Sequence, residues 1–332
     1  MAYPGALVYN NGTSGGRDIL YRKARCNMHI SVKPLLTFDE LIEKMKDLGI
    51  HFDRVTETEA KDFLSNSNYF FKIGAFRKNF HKDFEGRYNI DFRQLQELAR
   101  LDMKLRYLLL QYCLDIEHSI KTYLLRLITN DPDEDGYDIV QHIFSTQRNA
   151  AEFKNAIFSS VRFYDKGKLK FIDGFQKYYE KPPVWVVLEI MTMSKLKPFI
   201  VYLSNAKPRN TKLKKIRNGI RYTSMLRNEC AHNRPIIFNL RNNNHHISKP
   251  IYTNAKRKGF TNEEIQIYKV AQIFALMDLH ALVCGDGMRR NRYKDFVVFK
   301  QEFQRVEDLF QDNKYISRFQ SAINRLVDIY QI

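Results

Sequence analysis

Acid is almost missing from one stretch of this 332-residue chain: between residues 206 and 258 a single carboxylate, Glu229, faces fourteen lysines and arginines. That stretch carries a net +13 of the chain's formal +17. Clustered cations gain free energy by displacing the counterions around phosphates, so the imbalance points to a polyanionic partner, RNA or DNA first and an anionic membrane surface second. Cysteine is scarce too. Cys26, Cys113, Cys230 and Cys284 lie far apart and form no CxxC pair, which argues against a disulfide or zinc framework and for the reduced thiols of a cytoplasmic protein. No run of about 18 uncharged apolar residues occurs, so no membrane span is expected, and the first thirty residues, with Arg17, Arg22, Lys23 and Arg25, lack the apolar core of a secretion signal. There is no GxxxxGK[ST] loop, no HExxH, no nucleophile elbow and no paired carboxylates suited to two-metal cleavage, so neither a metal nor a cofactor is expected.

What the chain has is helical periodicity. Residues 1–32 read as a loose arm and 33–90 as an N-terminal helical and aromatic segment. Within it Thr37 is a plausible N-cap, Gly49 a plausible C-cap, and a short helix follows over Glu57 to Ser65. The aromatic stretch from Asn68 to Phe80 favours core packing fringed by basic residues over base stacking. The strongest signal runs from Phe92 to Ile128, where apolar residues from Leu95 to Leu127 recur every three or four positions. Asn130 to Gly136 breaks it. Helical pattern resumes over Ala150 to Tyr164, Val184 to Met193, from Pro198, over Leu213 to Asn233, Glu263 to Cys284 and Tyr293 to Tyr330, with a long polar connection at 234–262. With no regular strand alternation, the chain reads as all-α, its main helical domain spanning 91–332.

The helix over Leu213 to Asn233 places Lys214, Arg217, Arg221, Ser224, Asn228 and His232 along one polar stripe, and Leu213, Ile216, Ile220, Thr223, Leu226 and Cys230 opposite. Arg227 falls by angle on the apolar side. A guanidinium there needs a carboxylate or phosphate, and Glu117 on the central helix is the candidate to orient it. The plainer alternative pairs Arg227 with a structural acid, makes His232 a helix cap and leaves the stripe solvated. Arg241 to His246 is a second formal Arg-x4-His, but nothing in its polar loop would hold the two side chains in register.

Several segments together resemble the Abi-like family of bacterial abortive-infection proteins: Lys33-Pro34, Leu64 to Tyr69, Asp102-x2-Leu105-Arg106, Ile116 to Thr122, Pro183-x-Trp185-x3-Glu189, and Leu226-Arg227-Asn228-x2-Ala231-His232-Asn233. The resemblance covers about residues 33 to 330. It implies a HEPN-like antiparallel helical bundle with additional N-terminal helices, and a HEPN motif, Arg-x4-6-His with Asn commonly after the arginine. Many HEPN proteins are metal-independent ribonucleases of toxin–antitoxin and antiphage systems. The family implies a homodimer that juxtaposes two such motifs, and in some relatives restraint by a structured noncoding RNA.

On that reading Arg227 clamps a phosphate with its planar fork, His232 acts as general base or acid, and Asn228 orients His232 or the substrate. The 2′-OH would attack, leaving a 2′,3′-cyclic phosphate and a 5′-OH. Lys214, Arg217, Arg221 and Arg234 would track the RNA backbone and Asn233 would assist. Glu117 and Lys121 could support the site, although their spacing equally fits a simple surface pair. Two alternatives stay open: an RNA-binding protein that does not cut, and a protein-interaction subunit whose basic face meets an acidic antitoxin.

Overall fold

Reciprocal capping boxes mark where several helices begin. The computed structural model describes residues 35–67, 70–241 and 245–331. The arm expected over 1–32, together with Asn68, Tyr69 and residues 242–244, lies outside the described residues. Helix α1 (Phe38–Asp47) starts with Asp39 and Glu40 at the positive end of its dipole. The chain leaves it through Gly49 at φ +75°, where a Cβ would sit 2.8 Å from Arg87 Cβ, so the turn requires glycine. Strand β1 (Ile50–His51) follows, and Thr56 and Glu59 box the start of α2 (Glu57–Asn66). Helix α3 (Phe70–Phe76) buries Ile73 and Phe76, and Phe80 beyond it is buried too, while Phe70 is half-buried and Phe71 exposed. Strand β2 (Ile90–Asp91) pairs in parallel with β1, and Asp91 and Gln94 box the start of α4 (Phe92–Thr129), the 38-residue central helix that the leucine spacing predicts.

Beyond α4 the chain forms α5 (Asp138–Ser145) and α6 (Ala150–Ile157). The helix expected through Tyr164 stops at Ile157, and β3 (Arg162–Asp165) and β4 (Lys168–Phe171) make an antiparallel hairpin instead. Its turn residues Lys166 and Gly167 both take positive φ, +47° and +75°, the two-residue turn whose twist matches paired strands. Next come α7 (Val184–Ile190), α8 (Leu196–Ala206) and α9 (Thr211–Ala231). The polar connection carries its own helix, α10 (Lys249–Arg257), opened by Pro250. The chain closes with α11 (Asn262–Gln266), α12 (Tyr268–Val283), α13 (Asp286–Gln304) and α14 (Lys314–Ile329). The single helical stretch expected over Tyr293 to Tyr330 is thus two helices, and Asn313 starts the second by accepting the N–H groups of Tyr315 and Ile316.

The fold is all-α, with α4 at its centre. Asp102 meets the chain at Ile236 and Ile237, Cys113 meets Thr223, and Tyr123 meets Asn210, so α9 runs antiparallel to α4. On another side Lys104 pairs with Glu302 at 2.6 Å, Arg292 with Asp115 at 3.0 Å, and Ser119 reaches Met288, so α13 is antiparallel as well. Helix α12, mostly apolar and largely buried, wedges between α4 and α9, with Lys269 against Glu229 at one end and Leu279 against Gly219 at the other. No helix among the described residues is long and apolar enough to cross a membrane.

Candidate nucleic-acid interface

The 21 residues of α9 are fixed at both ends by side chains of α4. At the start, the Asn210 amide oxygen accepts the Leu213 N–H at 3.0 Å, and its amide group donates to the Tyr123 phenol at 2.9 Å. At the far end Asn233 adopts φ +55°, the Arg234 N–H donates back to Glu229 at 2.8 Å, and the Asn233 N–H donates to Cys230 at 3.1 Å. This is a Schellman closure with asparagine in the left-handed position that glycine usually fills. The helix is therefore stopped by Asn233, ahead of Pro235.

A buried polar cluster holds the closure down. The Asp102 carboxylate, fully buried, accepts the N–H groups of Ile236 and Ile237 at 2.6 and 2.8 Å and the Arg106 Nε at 2.8 Å. Arg106 in turn donates to the Asn233 side chain at 2.5 Å. Burial pushes the Asp102 carboxyl above the usual range, and the Arg106 guanidinium and the two N–H groups pull against that push. Nearby, buried Asn79 donates to the Ile237 carbonyl at 2.9 Å and accepts the Leu240 N–H at 3.0 Å. Asn233 is thus committed to structure through both backbone and side chain.

With its end fixed, α9 presents its motif on two faces. Asn228 and His232, one turn apart, are exposed, and the His232 N–H donates to the Asn228 carbonyl at 3.0 Å. Arg227 is half-buried, and its Nε is shielded from solvent without any acceptor among the described residues. A guanidinium N–H left in that state costs about 1–3 kcal/mol until an oxygen reaches it. The partner expected for Arg227 is engaged elsewhere. Glu117 pairs with Lys121 at 3.1 Å, and Lys121 also donates to the Glu189 carbonyl at 3.3 Å, tying α4 to α7. The i,i+4 geometry within α4 brings Lys121 to Glu117 first. Burial pushes the Cys113 thiol of α4 far up.

The cationic stripe is open. Lys214, Arg217, Arg221 and Arg234 are all exposed, Arg217 donating to Asn205 at 3.2 Å, and none forms an ion pair among the described residues. The only acid of α9, Glu229, is held by Lys269 at 2.6 Å. Beside the motif, α4 exposes Met103, Tyr107 and Leu114 at 39, 57 and 53%. With half-buried Leu110 they form one stripe that leads to Glu117. The model of the Abi-like protein family matches residues 62–239, from α2 through the end of α9. The chain belongs to the Abi-like family. No curated protein and no solved structure matches it.

Within this Abi-like chain the match spans α4, α9 and the cluster that joins them. Sequence reasoning named Asp102 and Arg106 as family marks without a role. A signal was available, because an i,i+4 Asp–Arg pair set among Leu101, Leu105 and Leu109 on a core-facing stripe has to be satisfied in the interior. The second Arg-x4-His is taken apart: Arg241 donates to the Phe80 carbonyl at 2.6 Å, and neither Arg241 nor His246 lies on a helix.

Proposed function

We propose that this Abi-like protein is a metal-independent endoribonuclease of an abortive-infection system, with a HEPN-type motif formed by Arg227, Asn228 and His232. The observation that carries the reading is the shielded Nε of Arg227, a hydrogen-bond donor without an acceptor, beside exposed Asn228 and His232 at the end of a cationic helix. A phosphate would meet the solvent-facing edge of this half-buried guanidinium, and the planar fork would stabilise the charge gathering on phosphorus. His232 would take the proton of the 2′-OH or return one to the leaving 5′-oxygen, and Asn228, one turn away, would orient it. The products would be 2′,3′-cyclic phosphate and 5′-OH ends. Lys214, Arg217, Arg221 and Arg234 would carry the flanking backbone.

Cleavage needs both a base and an acid, and each chain has one such histidine. A homodimer joined across the Met103–Leu114 stripe would bring two His232 side chains together. Burying that stripe would also remove apolar surface that a lone chain leaves in water.

A second reading has its own support. On one copy of α9 Arg227 and His232 point about 140° apart around the axis, so an isolated chain would grip RNA without cutting it, and a structured noncoding RNA could hold it in that state. The test is incubation of wild type and His232→Ala with cellular RNA in EDTA, after stripping copurified RNA, with the new ends mapped. Cyclic-phosphate ends from wild type alone support the nuclease. RNA copurifying with both proteins, and cut by neither, favours the binding protein.

A further inference from the structure

At the other end of α9, twenty residues and about 30 Å from His232, the structure holds a second group of cations. Lys212 Nζ lies 4.7 Å and Arg126 Cζ 5.3 Å from the centroid of the Tyr123 ring, and neither side chain forms an ion pair among the described residues. Both line a pocket of about 220 Å³ between α4, α9 and α13. His118, Ser119 and Thr122 of α4 line its wall, the Ser119 hydroxyl donating to Cys284 Sγ at 3.3 Å and the Thr122 hydroxyl to the His118 carbonyl at 3.0 Å. Val283 and Met288 make the apolar side. Asp286, which opens α13, is engaged by Arg289 at 3.2 Å, so no free carboxylate of that turn neutralises the cations. Burial and the neighbouring Arg126 cation hold the Lys212 ammonium below the ordinary lysine range, as two uncompensated charges forced together would.

Gly285 closes the pocket as the N-cap of α13, a 19-residue helix with no side-chain cap, so the positive end of that helix opens on the same space. Two cations without an acid partner among the described residues and an open helix start are the equipment for an oxyanion. The volume is below the roughly 300 Å³ at which pockets for complete cofactors begin, which suits a phosphate and the first part of what it carries.

We propose that this pocket binds the phosphate group of a nucleotide, supplied either as a free mononucleotide or as the 5′-phosphorylated end of an RNA. The site lies between the start of α9 and the C-terminal part of α4, away from the Lys214–Arg221 stripe, and does not depend on whether His232 cuts.

The test is titration calorimetry of the whole chain with AMP, and with a short single-stranded RNA bearing either a 5′-phosphate or a 5′-hydroxyl. Arg126→Gln with Lys212→Gln should weaken the phosphate-dependent binding by about a hundredfold or more, since each lost charged hydrogen bond costs about tenfold or more. Gly285→Asp is the fold-neutral control: a Cβ there meets nothing within 4 Å, aspartate is a good N-cap, and its carboxylate repels phosphate. It should leave the melting temperature level or higher and abolish the same binding. AMP binding lost in both variants identifies a free nucleotide. A preference for 5′-phosphorylated over 5′-hydroxyl RNA, lost in both variants, identifies an RNA end. The proposal falls if wild type binds neither AMP nor the 5′-phosphate selectively, or if both variants bind them as wild type does.

Discussion

At its C-terminal end α9 is fastened by a buried carboxylate, a buried guanidinium and a left-handed asparagine. At its N-terminal end one phenol and one amide do the fastening, and the charged groups beside them face an open pocket. The same helix thus spends its buried polar groups on geometry at one end and leaves its cations uncompensated at the other. Where chemistry needs two side chains placed to within an ångström, the backbone that carries them has to be over-determined. Where a phosphate only has to be held, flexible cations and a helix start suffice.

The contrast is sharpest at Arg227, which sits in the rigid end but whose Nε has no acceptor among the described residues. Arg227→Met should cut cleavage by about 10²–10³-fold, the usual cost of removing a donor aimed at developing charge, while stability stays level or rises because a buried donor without an acceptor is removed. Urea unfolding beside a cleavage assay reads both, and a large loss of stability would mean that Arg227 is structural. Asp102→Ala should cost about 3–5 kcal/mol, since it leaves Arg106 buried and uncompensated; a midpoint shift no larger than that of a surface mutation would remove the over-determined end from the comparison. Replacing Lys214, Arg217 and Arg221 together with Gln should leave folding alone and lower the slope of log affinity against log salt by about 2 for single-stranded RNA. An unchanged slope would place the RNA elsewhere. Asn233→Gly keeps the left-handed turn and loses only the bond to Arg106, so its cost should be about 1 kcal/mol, and a cost nearer that of Asp102→Ala would make the side chain, not the turn, the fastener.

Much of the scaffold was legible because long helices advertise themselves. The apolar spacing from Leu95 to Leu127 predicts α4 nearly to its ends, and the stripe from Leu213 to Cys230 predicts α9 with its exposed and buried faces. The β3–β4 hairpin was hidden because its signal is a two-residue turn, Lys166-Gly167, between strands of only four residues. Helix α10 was hidden by a polar sequence whose few apolar side chains, such as Ile251 and Ala255, carry its packing. At the site, periodicity gave the exposure of Asn228 and His232 and the awkward placement of Arg227. It could not give partners across the fold. Glu117 has Lys121 one turn away on its own helix, and that local pairing prevails. The Asp102–Arg106–Asn233 cluster joins residues 127 positions apart, a distance over which no spacing rule speaks.

Cys230 lies between Arg227 and His232 but points into the core, and burial pushes its thiol up to about 12, as it pushes that of Cys284 to about 11. Thiolate is the species that oxidants and alkylating reagents attack. The helix end that carries the motif therefore holds its sulfur as a buried thiol, the form that such reagents attack least.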